Sequence, residues 1–108
     1  MTDKIVVLTN CASADEAEKI ARALVSKKLA ACASLIPSVR SIYRWKREVE
    51  DAQEIQLVIK SSRGLFDQVR AEIEKLHSYE VPEVIALPIV DGSEAYLDWL
   101  GRELAELE

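Results

Sequence analysis

The sequence predicts an α+β domain of the ferredoxin-like class, a βαββαβ sandwich with one extra helix at its C-terminal end. Two observations support this prediction. Four short strand-like segments alternate with amphipathic segments of helical spacing, in the order strand, helix, strand, strand, helix, strand. The chain also has 108 residues, of which 49% are hydrophobic, a size that suits one core without further staples. We therefore expect a single domain over residues 1–108.

The first segments predict a buried strand followed by a capped helix. Residues 5–8 read Ile-Val-Val-Leu, an aliphatic and β-branched run that is typical of a central strand. Ser13 and Glu16 form a capping-box pattern, in which each side chain accepts the backbone N–H of the other residue. Apolar residues then recur at helical spacing, so we expect a helix that runs to about Lys28.

The middle of the chain predicts a long hairpin. Residues 30–45 mix small, β-branched and aromatic side chains around Pro37, and a proline in a strand belongs at an edge or a bulge. After a charged turn near Lys46 and Arg47, apolar and polar residues alternate over residues 54–60, as in a half-buried strand. A strand of about 16 residues spans roughly 50 Å, whereas a helix of about 15 residues spans about 22 Å. The hairpin is therefore expected to overhang its own domain and to be covered by other subunits.

The last part of the chain predicts a helix, a strand and a final helix. The second helix begins after residue 62, with Ser61 or Ser62 available as its cap, and ends near His77. Residues 84–90 predict a fourth strand, interrupted by a proline. One stripe of leucines predicts the C-terminal helix: Leu97, Leu100, Leu104 and Leu107.

Composition and motifs exclude several classes of function. With 19 acidic and 14 basic residues the formal net charge is -5, so neither nucleic acid nor an anionic membrane is an expected partner. No apolar run of roughly 18 residues predicts a membrane span, and no secretory leader is recognisable, so we expect a cytoplasmic protein. The 3 glycines are isolated, which excludes a Gly-rich phosphate loop. No set of side chains points to hydrolysis, phosphoryl transfer or redox catalysis, so we expect no enzyme.

Several blocks of residues resemble the CutA divalent-cation-tolerance family. In collinear order these blocks are Lys28 to Ala33, Ile36-Pro37, Ser41 to Lys46, and Tyr79 to Ile89. The resemblance implies a homotrimer of ferredoxin-like subunits, similar in plan to the PII signal-transduction proteins, with the hairpin reaching across subunit boundaries. It also implies a response to divalent metal ions, with copper binding in some members and protein anchoring in mammals.

The residues that match the copper ligands of the family depart from its pattern. The cysteine position of the family is Thr9 here, with Cys11 two residues farther on, and its paired histidines correspond to Leu76 and His77. The topology still brings the end of the first strand and the end of the second helix to one edge of the sheet. Cys11 and His77, with Glu80 nearby, are therefore the predicted ligands for copper or another divalent metal. The alternative for His77 is a helix-end residue whose cationic form complements the helix dipole.

The aromatic residues of the hairpin region indicate a second candidate site. Tyr43, Trp45 and Tyr79, together with Cys32 and Lys60, are predicted to line a pocket between subunits. The alternative is that the aromatic rings anchor an interface and that Cys32 is a small packed hydrophobe. Three functions stay open at this point: a homotrimer that responds to metal ions, a PII-like sensor of small molecules, and a structural anchoring trimer.

Overall fold

The computed structural model describes residues 2–106 and contains four strands and three helices. The strands are β1 (Lys4–Cys11), β2 (Cys32–Trp45), β3 (Glu48–Ser62) and β4 (Ile85–Pro88), and the helices are α1 (Ala14–Ser26), α2 (Phe66–Leu76) and α3 (Glu94–Arg102). A 3-10 turn, Arg63–Leu65, leads from β3 into α2. Leu107, predicted on the stripe of the last helix, lies outside the described residues. Among the described residues no helix has the length and apolar character needed to cross a bilayer.

The four strands form one antiparallel sheet with the order β2-β3-β1-β4. β1 pairs with β3 over its whole length, from Lys4 opposite Ser62 to Cys11 opposite Ile55. β4 pairs with the other side of β1. The aliphatic run of residues 5–8 therefore lies in an internal strand, as predicted. The α+β class and the order of strands and helices are confirmed.

The apolar faces of the sheet and the helices share one core. Alternate residues of β1 are buried, and α1 contacts β1, β3 and α2. The buried apolar residues of the described part form one cluster: Ile5, Val7, Cys11, Ala17, Ile20, Ala21, Leu24, Leu29, Ala30, Leu57, Ile59, Leu65, Val69, Ile73, Leu100 and Leu104. Burying each large aliphatic side chain contributes about 1.5–3 kcal/mol. This core fixes the end of β1 relative to the start of α1 and the end of α2.

The hairpin of β2 and β3 extends beyond the rest of the sheet. Residues 55–62 of β3 pair with β1, and residues 56–60 among them also pair with β2, whereas residues 48–54 pair with β2 alone. Trp45 lies opposite Glu48, and Lys46 and Arg47 form the turn between them, with φ angles of 51° and 72°. Positive φ at both turn residues matches the twist of a two-residue hairpin. The molecule measures 44 × 25 × 22 Å, and the predicted overhang is confirmed.

Pro37 lies in an edge strand at a bulge, as the sequence predicted. β2 is an edge strand of the sheet, and its register with β3 shifts between Ile36 and Val39. Ser38 inside this shift has a φ of 63°. The edge position and the bulge together accommodate the missing N–H of the proline.

The predicted cap of α2 is wrong. Ser61 and Ser62 both belong to β3, and within residues 2–106 no side-chain bond caps either the 3-10 turn or α2. The hydroxyl of Ser61 is buried and donates instead to the carbonyl oxygen of Leu29 at 2.6 Å. A buried hydroxyl needs a partner, and this carbonyl lies in the connection that follows α1. β4 is also shorter than residues 84–90, and α1 ends at Ser26, two residues before Lys28.

Candidate functional site

A cluster of ligand-type side chains lies where β1 ends beside the end of α2. Cys11 is the last residue of β1, Glu16 lies in the first turn of α1, and His77 follows the last residue of α2. One ligand atom from each of the three residues lies within 4.8 Å of the others. The sheet topology thus brings Cys11 and His77 together, as expected from the sequence.

The imidazole of His77 is held by hydrogen bonds at both ring nitrogens. Nε2 lies 2.7 Å from the carbonyl oxygen of Asn10, which can only accept, so Nε2 carries a proton and donates. Nδ1 accepts the backbone N–H of Tyr79 at 3.1 Å. The side chain is fully buried, and its ring packs against the Tyr79 ring with the centroids 4.7 Å apart. His77 therefore fastens the segment after α2 to the end of β1.

Glu16 turns toward this cluster and away from the start of its own helix. Its Oε1 accepts the backbone N–H of Ser78 at 2.9 Å, while Oε2 lies 3.8 Å from Nδ1 of His77. Oε2 is buried and has no hydrogen-bond partner among the described residues. The hydroxyl of Ser13 accepts the N–H of Glu16 at 3.2 Å, so half of the predicted capping box is present. The other half is wrong because the carboxylate binds the segment after α2.

The thiol of Cys11 is buried beside two acidic side chains. Burial, followed by the charges of Glu16 and Glu54, raises its pKa from 9.0 to about 12. The thiol is therefore protonated at neutral pH, and any ligand that needs the thiolate must displace a proton. Thr9, two residues earlier on the same face of β1, has a buried hydroxyl without a hydrogen-bond partner in the described part of the chain.

The sequence pattern of the CutA1 divalent ion tolerance protein family matches residues 5–103 of this chain. The chain belongs to the CutA1 family. The divalent-cation tolerance protein CutA of Thermus thermophilus is 45% identical to it over 95 residues, which are 88% of this chain and 92% of that protein. The human protein CutA is 43% identical over 96 residues, which are 89% of this chain and 53% of the human protein. The chain thus spans about half the length of that relative.

Solved CutA1 structures share the fold of this chain. The divalent cation tolerance protein of Thermus thermophilus superposes with a TM-score of 0.92 at 42% identity, over 94% of this chain and 99% of that chain. CutA from Xylella fastidiosa superposes with a TM-score of 0.93 at 36% identity, over 96% and 100% of the two chains. The four-stranded antiparallel sheet with three helices is therefore the fold of CutA1 proteins.

Glu80, predicted as a ligand in this CutA1 chain, does not join the cluster. It is exposed, and its carboxylate lies 3.9 Å from Nζ of Lys46 at the hairpin turn. The chain leads away from His77 toward the hairpin, which carries residue 80 out of the junction. Glu16 takes the third position, although its sequence pattern indicated only a helix cap. The topology could have indicated Glu16, because α1 starts directly after β1 and hence at the same edge of the sheet.

A cavity of about 690 Å³ lies between the hairpin and the segment after α2 of this CutA1 chain. Three of the predicted pocket residues, Tyr43, Trp45 and Tyr79, line it. Cys32 and Lys60 do not: they face each other across β2 and β3 toward the other end of the sheet, with Nζ of Lys60 3.7 Å from the sulfur. Within one subunit, the residues predicted for one pocket therefore lie in two separate places.

Cys32 is a half-buried thiol with two polar neighbours. The hydroxyl of Tyr96 in α3 lies 3.7 Å from its sulfur, as does Nζ of Lys60. The hydrogen bond with Cys32 raises the pKa of Tyr96, and partial burial adds to this effect. Cys32 thus differs from the small packed hydrophobe that its alanine neighbours indicated.

Glu54 is a residue of the cavity wall that sequence reasoning did not single out. It is only 4% exposed, and its Oε2 accepts the hydroxyl of Tyr79 at 2.6 Å while its Oε1 accepts the amide of Asn10 at 3.4 Å. Burial and the bond to Glu54 raise the pKa of Tyr79, so this hydroxyl stays a donor. Asn10 and Tyr79 also bind His77 through their backbones. The ligand-type cluster and the cavity are therefore linked through these two residues.

Proposed function

We propose that this CutA1 chain forms a homotrimer, without enzymatic activity, that responds to divalent metal ions by binding them at Cys11, Glu16 and His77. The observation that carries the proposal is the convergence of three donor atoms within 4.8 Å, one of them a buried carboxylate oxygen without a hydrogen-bond partner among the described residues. The family description, CutA1 divalent ion tolerance protein, supports a role of this kind.

The donor set suits a borderline divalent ion such as Cu(II) or Zn(II). A sulfur, an imidazole nitrogen and a carboxylate oxygen are the ligands that such ions take, whereas Mg²⁺ and Ca²⁺ prefer oxygen alone. Cys11 would bind as the thiolate and His77 would exchange one of its two hydrogen bonds, while Oε2 of Glu16 is unpaired within residues 2–106. Because the thiol proton must leave, we expect the affinity for metal to rise with pH.

The same proposal places the protein in the cytoplasm. Cys11 and Cys32 are free thiols, which a reducing compartment maintains. The names of two relatives give other cellular locations. A CutA of Arabidopsis thaliana is called chloroplastic, and one of Archaeoglobus fulgidus is called periplasmic. Fractionation of the source cells with an antibody against the chain would test this assignment.

The exposed hairpin supports a homotrimer of ferredoxin-like subunits. The order β2-β3-β1-β4, with α1 leading from β1 to β2 and α2 leading from β3 to β4, is that of a split βαβ sandwich. Ile42 and Val49 on the overhanging hairpin are 66% and 67% exposed, and Ile85 and Leu87 on β4 are each 48% exposed. Apolar surface along sheet edges is normally covered, and closed symmetric assembly covers it in all copies.

Thermal unfolding of the sized oligomer with Cu(II), with Zn(II) and without metal tests the metal centre. Bound metal at about 100 times its Kd stabilises the native state by about 2.7 kcal/mol, so we expect a raised Tm. Glu16→Gln keeps the shape of the side chain and should remove most of this rise. Glu80→Gln is the matched control outside the cluster and should retain it. No metal-dependent rise in the wild type, or equal rises in the wild type and Glu16→Gln, would refute the metal centre.

The cavity supports a second candidate function, a sensor of small molecules in the manner of PII proteins. Its volume of about 690 Å³ lies within the usual range for ligand sites, and aromatic side chains form part of its wall. A Tm rise with a small molecule that persists in Glu16→Gln would separate this function from the metal centre. A purely anchoring trimer would respond to neither metal nor small molecule, and its role would follow from proteins that co-purify with it.

A further inference from the structure

Glu54 is a buried carboxylate whose contacts within the described residues are all with neutral groups. It accepts the hydroxyl of Tyr79 at 2.6 Å and the amide of Asn10 at 3.4 Å. The ion pairs of residues 2–106 involve other carboxylates. An ionised group taken out of water without an opposite charge destabilises the fold, so such groups are concentrated at functional sites. Glu54 lies on the wall of the cavity, which places an uncompensated negative charge at a ligand-sized space.

Aromatic and acidic side chains form much of the cavity wall, beside two serines and two aliphatic residues. Tyr43, Trp45 and Tyr79 contribute rings, Glu80 and Glu83 contribute further carboxylates, and the described residues that line the cavity include no lysine, arginine or histidine. Such a wall repels an anion such as a nucleotide or a carboxylic acid. An organic cation is attracted both by the carboxylates and by the faces of the aromatic rings.

Asn10 supplies an independent indication of the ligand. Its Oδ1 is buried and has no hydrogen-bond partner in the described part of the chain, while its Nδ2 donates to Glu54. The residue lines the cavity, and a turn of its side chain would bring this oxygen beside the carboxylate to accept from a ligand with N–H groups. Two acceptors side by side, one charged and one unsatisfied, are what an ammonium or guanidinium group requires.

The chain itself places an alkylammonium group next to two of the residues that line the cavity. Nζ of Lys46 lies 5.6 Å from the centroid of the Trp45 ring and 3.9 Å from the carboxylate of Glu80. A hard metal ion fits the wall less well, because the carboxylates that line it form no convergent group of ligands among the described residues. Among the described residues, the convergent group of metal-type ligands is Cys11, Glu16 and His77, and it contains none of the carboxylates that line the cavity.

We propose that the cavity binds a small organic cation, a primary amine or a guanidine, with Glu54 as the counter-ion. Oδ1 of Asn10 accepts a second N–H of the ligand, and the Tyr43 and Trp45 rings cover its carbon chain. This inference rests on the sensor function proposed above and names the chemical class of its ligand. It does not depend on the metal centre.

Titration of the sized oligomer with probes that share a four-carbon chain and differ in charge tests the inference. Putrescine and agmatine are the cationic probes, 1,4-butanediol is the neutral probe and succinate is the anionic probe. Isothermal titration calorimetry gives the affinities, and Trp45 fluorescence in a Trp99→Phe background reports binding at the cavity. We expect saturable binding of the cations, at least about tenfold tighter than that of the diol, because the diol lacks the charge.

Two variants and one control locate the binding. Glu54→Gln should weaken binding of putrescine by about tenfold or more, with circular dichroism and the mass of the oligomer confirming that it folds. Trp45→Leu changes a partly exposed wall residue and should weaken binding by a smaller factor. Glu74→Gln removes one negative charge from α2, where Glu74 pairs with Arg70, and should leave binding unchanged.

The other outcomes separate the existence of a small-molecule site from the cationic class of its ligand. If 1,4-butanediol or succinate binds as tightly as putrescine, the cavity is a ligand site but the cationic class is overturned. If no probe binds, the cationic class is overturned, and the sensor function fails as well when no small molecule raises the Tm.

Discussion

The two cysteines show that position in the fold controls the chemistry of a single side chain. Cys11 is fully buried next to Glu16 and Glu54, and its pKa rises to about 12. Cys32 is only half-buried, and its sulfur lies 3.7 Å from the ammonium nitrogen of Lys60. We therefore expect Cys32 to be the more reactive thiol in the folded protein, since it is more accessible and the raised pKa of Cys11 disfavours the reactive thiolate there.

Alkaline pH should destabilise the protein through Cys11. Its pKa is about 12 in the fold and 9.0 for the unperturbed thiol, so the folded state holds the proton more tightly. The resulting stability is complete below pH 9 and is lost as the pH rises toward 12. Urea unfolding at pH 8, 9, 10 and 11 and one protein concentration should give a steeper decline in the free energy of unfolding for the wild type than for Cys11→Ala. Cys32→Ala should decline like the wild type, and equal slopes for Cys11→Ala and the wild type would contradict the assignment.

At the scale of helices and strands, the residues of the candidate site lie at the ends of the elements, so the way each end is capped matters for the site. The hydroxyl of Ser13 caps α1 by accepting the N–H of Glu16, while the carboxylate of Glu16 binds the segment after α2. Ser93 precedes α3 in the same position, but its side chain makes no capping bond to the described residues. The start of α1 is therefore fixed by the sequence next to it, while the start of α3 depends on packing.

The two serines provide a matched test of capping. Ser13→Ala should lower the free energy of unfolding by about 1 kcal/mol, because an N–H at the start of α1 loses its acceptor. Ser93→Ala should change it by only a few tenths of a kcal/mol, because no such bond within residues 2–106 is lost. Chemical denaturation of both variants at equal protein concentration measures the difference. Equal losses in the two variants would mean that the Ser13 hydroxyl does not stabilise α1.

At the scale of the whole molecule, the hairpin is the feature whose apolar surface one subunit leaves uncovered. Its outer part pairs only within itself, and the longest dimension of the molecule, 44 Å, is well above the other two of 25 and 22 Å. Ile42 on this part is 66% exposed. The proposed trimer gives this surface a partner, and it brings the cavity beside the hairpin close to a subunit boundary.

A charge on the exposed hairpin should dissociate the oligomer. Ile42→Glu places a carboxylate in the surface that we assign to subunit contact, so the molar mass should fall toward that of one chain at micromolar concentration. Val25→Glu changes an apolar residue that is 41% exposed on α1 and should leave the mass unchanged. Light scattering coupled to size-exclusion chromatography measures both. A wild-type mass for Ile42→Glu would place the subunit contact elsewhere.

The sequence by itself determined the order and class of the elements and much of their extent. Period-2 and helical patterns lie within a few neighbouring residues, so β1, α1 and the long hairpin could be recognised from local sequence. The order of the elements also predicted that Cys11 and His77 lie close together, because it places these two chain positions at one edge of the sheet. The blocks of residues that resemble the CutA family indicated the family, which the match over residues 5–103 confirms.

Only the tertiary structure decided which side chains meet. Glu16 has the pattern of a helix cap, yet its carboxylate bonds to Ser78, and Glu54 has the pattern of a solvated strand residue, yet it is 4% exposed. The partners of Glu54 lie 44 residues before it at Asn10 and 25 residues after it at Tyr79. Periodicity describes which face of an element is apolar, but a buried polar side chain is fixed by whichever donors the packing brings within about 3 Å. Those donors come from distant segments, and local sequence patterns contain no record of them.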